Sequence, residues 1–153
     1  MEGKVLIMLM PEQFRVNEAW IAVRVNEAFL FVQDDPYDIY VLMDAASTYV
    51  LGHVLSKVVD EKPEDRDIEA LFNTAWAAKK EWAKKLIVSD DSIAQNAFRA
   101  KAEEKGLSVA TVPLSDLEPI VGPVKELFAS VQIYGHYHNS PTGQIDVRNP
   151  DGP

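Results

Sequence analysis

Residues 38–57 read DIYVLMDAASTYVLGHVLSK, and residues 84–95 read KKLIVSDDSIAQ. In the first stretch, Ile39–Met43 is a run of β-branched, aromatic and long apolar side chains, which reads as a buried strand. Asp44-Ala45-Ala46-Ser47 turns the chain and Thr48–Ser56 returns as a second strand, giving a β-hairpin. In the second stretch, Leu86-Ile87-Val88 is a short unbroken apolar run of the kind buried on both faces of a sheet. Ser92 and Gln95 follow at capping-box spacing and open a helix to Lys105, closed by Gly106.

Working outward, Pro63 is a helix-start signal. Ile68, Leu71, Phe72, Ala75 and Trp82 then recur at helical spacing. The segment begins acidic and ends in Lys79, Lys80, Lys84 and Lys85, as the helix dipole favours. Leu107–Val112 is a further strand. Ser115 and Glu118 repeat the capping-box spacing, and Gly122-Pro123 is expected to interrupt the last helix before a second segment, Val124–Ser130. Val131–His138 and Gln144–Arg148 read either as a hairpin or as a loose tail.

Upstream, Val5–Met10 reads as a buried strand. Phe14-Arg15-Val16-Asn17-Glu18-Ala19-Trp20 is echoed by Val23-Arg24-Val25-Asn26-Glu27-Ala28-Phe29, one repeat and therefore no solenoid. Strands near Trp20–Val25 and Ala28–Val32, turned by Asn26-Glu27, are one reading; a helix over 14–30 is the other. Gln33–Asp38 reads as a polar loop broken by Pro36. Strands first and alternating elements afterwards describe an α/β fold in three layers. Its mixed sheet has antiparallel N-terminal strands followed by β-α-β-α-β-α. The expected organisation is a single domain over 1–131, with 132–153 as the C-terminal hairpin or flexible tail.

The absence of cysteine excludes disulfides, thiolate metal sites and cysteine catalysis. With 24 acids against 15 bases the net charge is −9, which repels phosphate backbones and argues against a nucleic-acid partner. The one basic cluster, at Lys79, Lys80, Lys84 and Lys85, is accounted for by a helix end. The six-residue apolar run at 5–10 is too short for a signal peptide or a membrane span, so a cytoplasmic protein away from membranes is expected.

Residues 38–130 resemble the ribonuclease H-like fold, and more narrowly the catalytic cores of retroviral integrases and transposases. Ile39–Ser47 is similar to the core's second strand, which runs into an aspartate and serine turn. Leu86–Asp91 is similar to the strand that carries the family's second catalytic aspartate. Thirty-five residues lie between Asp90 and Glu126, the family's spacing for its last two carboxylates. The resemblance implies Asp44, Asp90 or Asp91, and Glu126 as catalytic carboxylates, with Asp44, Asp90 and Glu126 as ligands. They would hold two Mg2+ or Mn2+ ions about 3.5–4 Å apart for phosphoryl transfer.

Two registers fit. If Ile39–Ser47 is the second strand, the first carboxylate belongs on Trp20-Ile21-Ala22-Val23-Arg24, where Val23 and Arg24 stand instead. If it is the first strand, Asp44 is that carboxylate. Asp91-Ser92 replace the family's asparagine and glycine after the second aspartate, and Gly122-Pro123-Val124-Lys125 occupy the place of its asparagine before the glutamate.

Each candidate also has a purely architectural reading. Asp44 opens a tight turn, where an aspartate bonds its own backbone. Asp90 and Asp91 precede a helix N-terminus, which favours negative charge. Glu126 reads as a solvated helix residue. His136 and His138 would share one side of a strand, without a third zinc ligand nearby. His53 reads as structural, Ser47 lacks a base, and no phosphate-binding glycine motif occurs. Trp20, Trp76 and Trp82 read as core or interface anchors.

The first functional expectation is a non-catalytic accessory or interaction domain with no cofactor, bound to a protein partner or to copies of itself. The alternative is a divalent-metal-dependent nuclease or transposase-type polynucleotidyl transferase. A weaker third is a small-molecule binder at the strand ends near Asp44 and Asp90.

Overall fold

A computed structural model describes residues 8–138, with side chains to residue 129. Among the described residues, strands β1 (Ala19–Arg24), β2 (Leu30–Val32), β3 (Asp35–Asp44), β4 (Val50–Lys57), β5 (Lys85–Val88) and β6 (Ser108–Thr111) form one mixed sheet. Helices α1 (Asp65–Lys79), α2 (Ile93–Glu104) and α3 (Leu114–His138) cover it. β3 is antiparallel to β1, β2 and β4, whereas β5 runs parallel to both β1 and β6. The expected three-layer α/β architecture is what the chain adopts.

Alternation along the central strands builds two cores, because successive side chains of a strand point to opposite faces. Trp20, Ala22, Tyr40, Leu42, Leu86 and Val88 pack with Ile68, Leu71 and Phe72 of α1 and Phe98 of α2. Ile21, Val23, Val41, Met43 and Ile87 pack with Leu117, Ile120, Val121 and Val124 of α3. At Gly52 a Cβ would stand 2.7 Å from Leu71 Cδ1, so glycine lets β4 and α1 approach closely.

The strands at β1 and β2 settle residues 14–32 in favour of the strand reading, but they do not form a hairpin with each other. Both lie along the same edge of β3. Buried Asn26 bridges the gap between them: its Oδ1 accepts from Ile39 N–H at 2.8 Å, and its Nδ2 donates to the Ala28 and Tyr37 carbonyls. The side chain thus replaces the ladder bonds lost where the strand breaks. The loop expected at Gln33–Asp38 shrinks to two residues, Gln33 and Asp34, both at positive φ, and β3 already begins at Asp35. Positive φ at both central positions is the hairpin geometry whose twist matches the flanking strands.

Further boundaries differ from expectation. Residues 8–10 are not a strand: Met8 and Met10 are exposed, and Leu9 alone joins the α3 core. Residues 5–7 lie outside the described residues. Trp82 falls beyond α1, which ends where Lys80 turns left-handed at φ 59°. Ser115 lies inside the first turn of α3 rather than capping it. That helix also passes through Pro119 and Pro123 without a break and continues over 131–138, where a strand was one reading. Each proline costs a helix about 3 kcal/mol. Burial of Leu117, Ile120, Val121 and Val124, each worth about 1.5–3 kcal/mol, offsets that cost. The segment 144–148 lies outside the described residues.

Candidate functional site

Strand register decides which carboxylates meet. Asp44 pairs with Trp20 at the start of β1, whereas Val88, two residues before Asp90, pairs with Ala22 farther along the same strand. Asp90 is therefore level with Arg24. Roughly 13 Å of strand, at about 3.3 Å per residue, separates it from Asp44. The first register is the one the chain adopts: Ile39–Met43 lies in the antiparallel neighbour of β1, and β1 is the strand beside Asp90. Asp44 therefore stands at the other end of the sheet from Asp90, and the two are not brought together.

Its bonding explains why it is there. Asp44 is 3% exposed. Its Oδ1 accepts from Asn17 N–H at 2.7 Å, and its Oδ2 accepts from both the N–H and the Oγ–H of Ser47 at 2.8 Å. Asn17 Oδ1 in turn accepts from the Trp20 indole at 2.8 Å. One carboxylate thus ties the β3–β4 turn to the chain entering β1. Ser47 is committed to that turn.

The open end of the sheet carries a cavity of about 120 Å3 where β1, β5 and α3 converge. Arg24, Glu27, Tyr40, Asp90, Gln95 and Lys125 are among its lining residues. Asp90 is exposed, and its Oδ1 accepts from Ser92 N–H at 2.9 Å, a bond that shapes the loop into α2. Asp91 is exposed and uses its backbone carbonyl to accept from Asn96. On α3 it is Lys125 that lines the cavity, while Glu126 is exposed one position around the helix. The place on β1 where a carboxylate would face Asp90 holds Val23, buried in the α3 core, and Arg24, 3.4 Å from Asp38. Burial, with the charge of Asp38 next, pushes the Tyr40 phenol up to about 12 despite the opposing Arg24.

Gln95 is the residue that spacing alone misassigned. Ser92 Oγ does cap α2, accepting from Gln95 N–H at 3.2 Å. The Gln95 side chain does not return to the cap. It lies buried across the sheet end, where Nε2 donates to the Ala22 carbonyl at 3.2 Å. Its buried Oε1 has no hydrogen-bond partner among the described residues.

This donor set does not suit a pair of divalent ions. Such ions take several hard oxygen ligands, yet two of the three positions that resemblance assigns carry Val23 and an outward Glu126. Among the described residues no group of three His, Asp or Glu side chains is placed to hold a metal. His136 and His138 are on α3, so the strand geometry that put them on one side does not apply. His53 is exposed on β4 and lines a separate open groove of about 680 Å3 beside the start of α1. Of the basic cluster, Lys79 sits in the last turn of α1, Lys80 stacks on Trp76 at 5.5 Å, Lys84 precedes β5 and Lys85 begins it. Trp20 is fully buried, and Trp82 packs between it and Trp76, with ring centroids 6.1 and 6.4 Å away. No helix among the described residues is long and apolar enough to cross a membrane.

No protein-family model and no curated protein matches the chain. Solved structures do. The magnesium-bound integrase catalytic core domain of HTLV-2, in its dimeric form, superposes with a TM-score of 0.52 at 14% identity, over 83% of this chain and 74% of that one. The simian T-cell lymphotropic virus intasome in complex with the PP2A regulatory subunit B56 gamma gives 0.51 at 17% identity, over 87% of this chain and 45% of that one. The fold is therefore ribonuclease H-like, of the integrase catalytic-core type.

Proposed function

We propose that this protein is an acidic, cytoplasmic accessory domain that has kept the ribonuclease H-like framework for binding a protein partner or a second copy of itself, without catalysis. The observation that carries the reading is the set of side chains at the open sheet end. Val23 and Arg24 occupy β1 beside Asp90, and on α3 it is Lys125, not Glu126, that lines the cavity. Arg24 and Lys125 balance the two carboxylates of the same cavity, Glu27 and Asp90, so no net negative charge is left there to attract divalent metals, and a chain of net charge −9 repels nucleic acid. An interaction role is supported by Phe29 and Phe31, two residues apart on the hairpin at β2 and both exposed. The dimeric form of the HTLV-2 core is a precedent for self-association on this framework.

Two measurements test the reading. Sedimentation equilibrium across a concentration series should show association that Phe29→Ser with Phe31→Ser weakens; where the chain is monomeric, affinity capture of a partner should depend on the same two residues. Titration with Mg2+ or Mn2+ should leave the melting temperature unchanged, since a ligand specific for the native state raises it. Metal-dependent cleavage or joining of DNA or RNA, lost in Asp90→Asn, would overturn the proposal in favour of a nuclease or polynucleotidyl transferase.

A further inference from the structure

Among the described residues β4 is an edge strand: it pairs with β3 on one side and with no strand on the other. Register shows which of its backbone groups are left over. Ile39 N–H donates to Asn26 and the Ile39 carbonyl accepts from Val25 N–H, so Ile39 faces β1 while its neighbours Tyr40 and Leu42 face β4. Their partners Val54 and Gly52 close that ladder, which turns the N–H and C=O of His53 and Leu55 outward. No backbone bond from elsewhere in the described residues reaches those outward groups. Sheet edges are ordinarily blunted by charge, by proline or by shortness. The opposite edge, β6, has four residues, whereas β4 has eight, and Val50–Ser56 contains neither a formal charge nor a proline.

The open groove of about 680 Å3 runs along this edge. Four consecutive residues, Gly52, His53, Val54 and Leu55, line it although their side chains alternate between the two faces of the strand, so the groove follows the backbone rather than one face. Its far wall is a stripe of α1, Asp67, Ala70 and Thr74. Ala70 and Thr74 are small and exposed, and they leave the edge uncovered. We propose that the groove takes an extended segment of a partner protein as an added strand on β4, uncharged against His53 and Leu55 and basic at the end beside the first turn of α1. The backbone supplies the affinity: the segment exchanges N–H and C=O bonds with His53 and Leu55, and alternate side chains of it face α1. Charge sets the flank. Where β4 leads towards α1 the groove carries Asp60, Glu64 and Asp67. It also carries Lys62 and Lys57, the latter held by Asp35 at 3.7 Å. Arg66, which reaches Glu64 at 3.0 Å, is 81% exposed and is not part of the lining. A second copy would bring net charge −9 to a chain of net charge −9, so a basic partner is favoured over self-pairing. The inference rests on the reading of an interaction domain, but its surface is separate from Phe29 and Phe31, which belong to the hairpin at β2 on the other side of β3.

The test uses the full chain as bait for a phage-displayed library of random peptides, and then synthetic copies of the peptides it enriches. Selection should enrich segments with lysine or arginine at one end and uncharged, β-branched residues after it. In the free chain the His53 and Leu55 amides should exchange hydrogen fast while Val54 is protected, and peptide binding should slow both. Methylating alternate backbone nitrogens of the peptide should weaken binding on the order of tenfold or more, since the added strand loses its donors. Leu55→Pro removes an outward N–H and spares the ladder to β3, as proline is tolerated on sheet edges, and should weaken binding by a similar factor. Where that variant fails to fold, Ala70→Arg on the exposed side of α1 narrows the groove and should do the same. Peptides that bind the methylated or substituted pair equally well would be held by side chains alone, and would overturn the proposal. Enrichment of acidic peptides, or of none over the Leu55→Pro chain, would overturn it too. Protection of His53 and Leu55 in the free chain would mean that the edge is already covered, by a second copy where dilution removes the protection and by the chain itself where it does not; either result overturns the proposal. Phe29→Ser with Phe31→Ser should leave peptide binding unchanged, so loss of the β4 site leaves the interaction reading standing wherever association still depends on those two residues.

Discussion

Asp44 and Asp90 stand at opposite ends of one sheet, and the two ends differ in kind. At the Asp44 end the carboxylate is buried and accepts three hydrogen bonds, and beside it Trp20 is packed against Phe72 and Trp82. At the Asp90 end the carboxylate is exposed with one loop bond, it shares a cavity lining with Arg24, Glu27 and Lys125, and a buried amide oxygen lacks a donor. In a sequence both are aspartates that follow an apolar run. Their partners separate them: a buried carboxylate with three hydrogen bonds holds the fold together, and an exposed one with a single bond has more capacity left over.

The contrast predicts a graded response to mutation. Trp20→Ala at the closed end should cost about 3–5 kcal/mol in urea denaturation, since it empties the largest fully buried site and strips Asn17 Oδ1 of its donor. A smaller loss would mean that the closed end is less tightly packed than described. Asp44→Ala should cost about 1–3 kcal/mol, because Asn17 N–H and Ser47 N–H lose their acceptor in a part-buried setting. The matching change Asp90→Ala should stay within about 0.5 kcal/mol, as expected of an exposed residue. Equal costs at the two positions would erase the distinction between the ends.

Gln95→Leu should change stability by less than about 1 kcal/mol in either direction. It loses the bond to the Ala22 carbonyl but also removes the orphaned Oε1. A loss of several kcal/mol would show that the amide is satisfied in solution and that the open end is as complete as the closed one.

The smallest effect belongs to an ionic clamp between α1 and α2, which lies at neither end. Lys101 Nζ reaches Glu69 at 2.9 Å and Asp65 at 3.2 Å, and Lys105 Nζ reaches Glu69 at 2.7 Å. Hydrogen bonds from Lys105 and then Lys101 hold the Glu69 carboxyl down to about 2, from an ordinary 4.5. A depressed carboxylate stabilises the fold above its ordinary value, and that contribution is lost as pH falls from 4.5 towards 2. Glu69→Gln should therefore flatten the acid limb of the melting-temperature profile in that window and change little at its foot. The same Lys101 is raised by Glu69, so its share is present at neutral pH and fades only in strong alkali. Both effects should shrink in high salt, because the carboxylate is open to solvent.

Much of the fold was legible because local chemistry and tertiary need agree. Leu86-Ile87-Val88 is a strand for the reason its composition suggests, and Ser92 caps α2 as its spacing implies. Ile68, Leu71, Phe72 and Ala75 are the buried stripe of α1. Disagreement arises where packing outweighs local preference. Pro119 and Pro123 argue for a broken helix, yet the apolar stripe they interrupt is continuous against the sheet. Gln33-Asp34 lacks glycine and still makes the tightest hairpin turn, because β2 and β3 fix its ends. The candidate site was legible in part: Asp90 and the absence of a carboxylate at Val23-Arg24 are both visible in the sequence. Gln95 and Lys125 were hidden, the first behind a capping pattern and the second beside a glutamate at a suggestive spacing.

From residue 39 to 130 the sequence by itself determined the order and type of the elements, since hydrophobic period, capping residues and turn chemistry act over a few neighbouring positions. It also determined which chemistries the chain lacks, because no arrangement supplies a thiol that is not there. Which end of a strand meets which was decided by tertiary structure alone. β1 runs antiparallel to β3 and parallel to β5, and that pairing sends Asp44 and Asp90 to opposite ends. A site is made of residues far apart in the chain, and strand register, a property of the whole sheet, sets the distance between them.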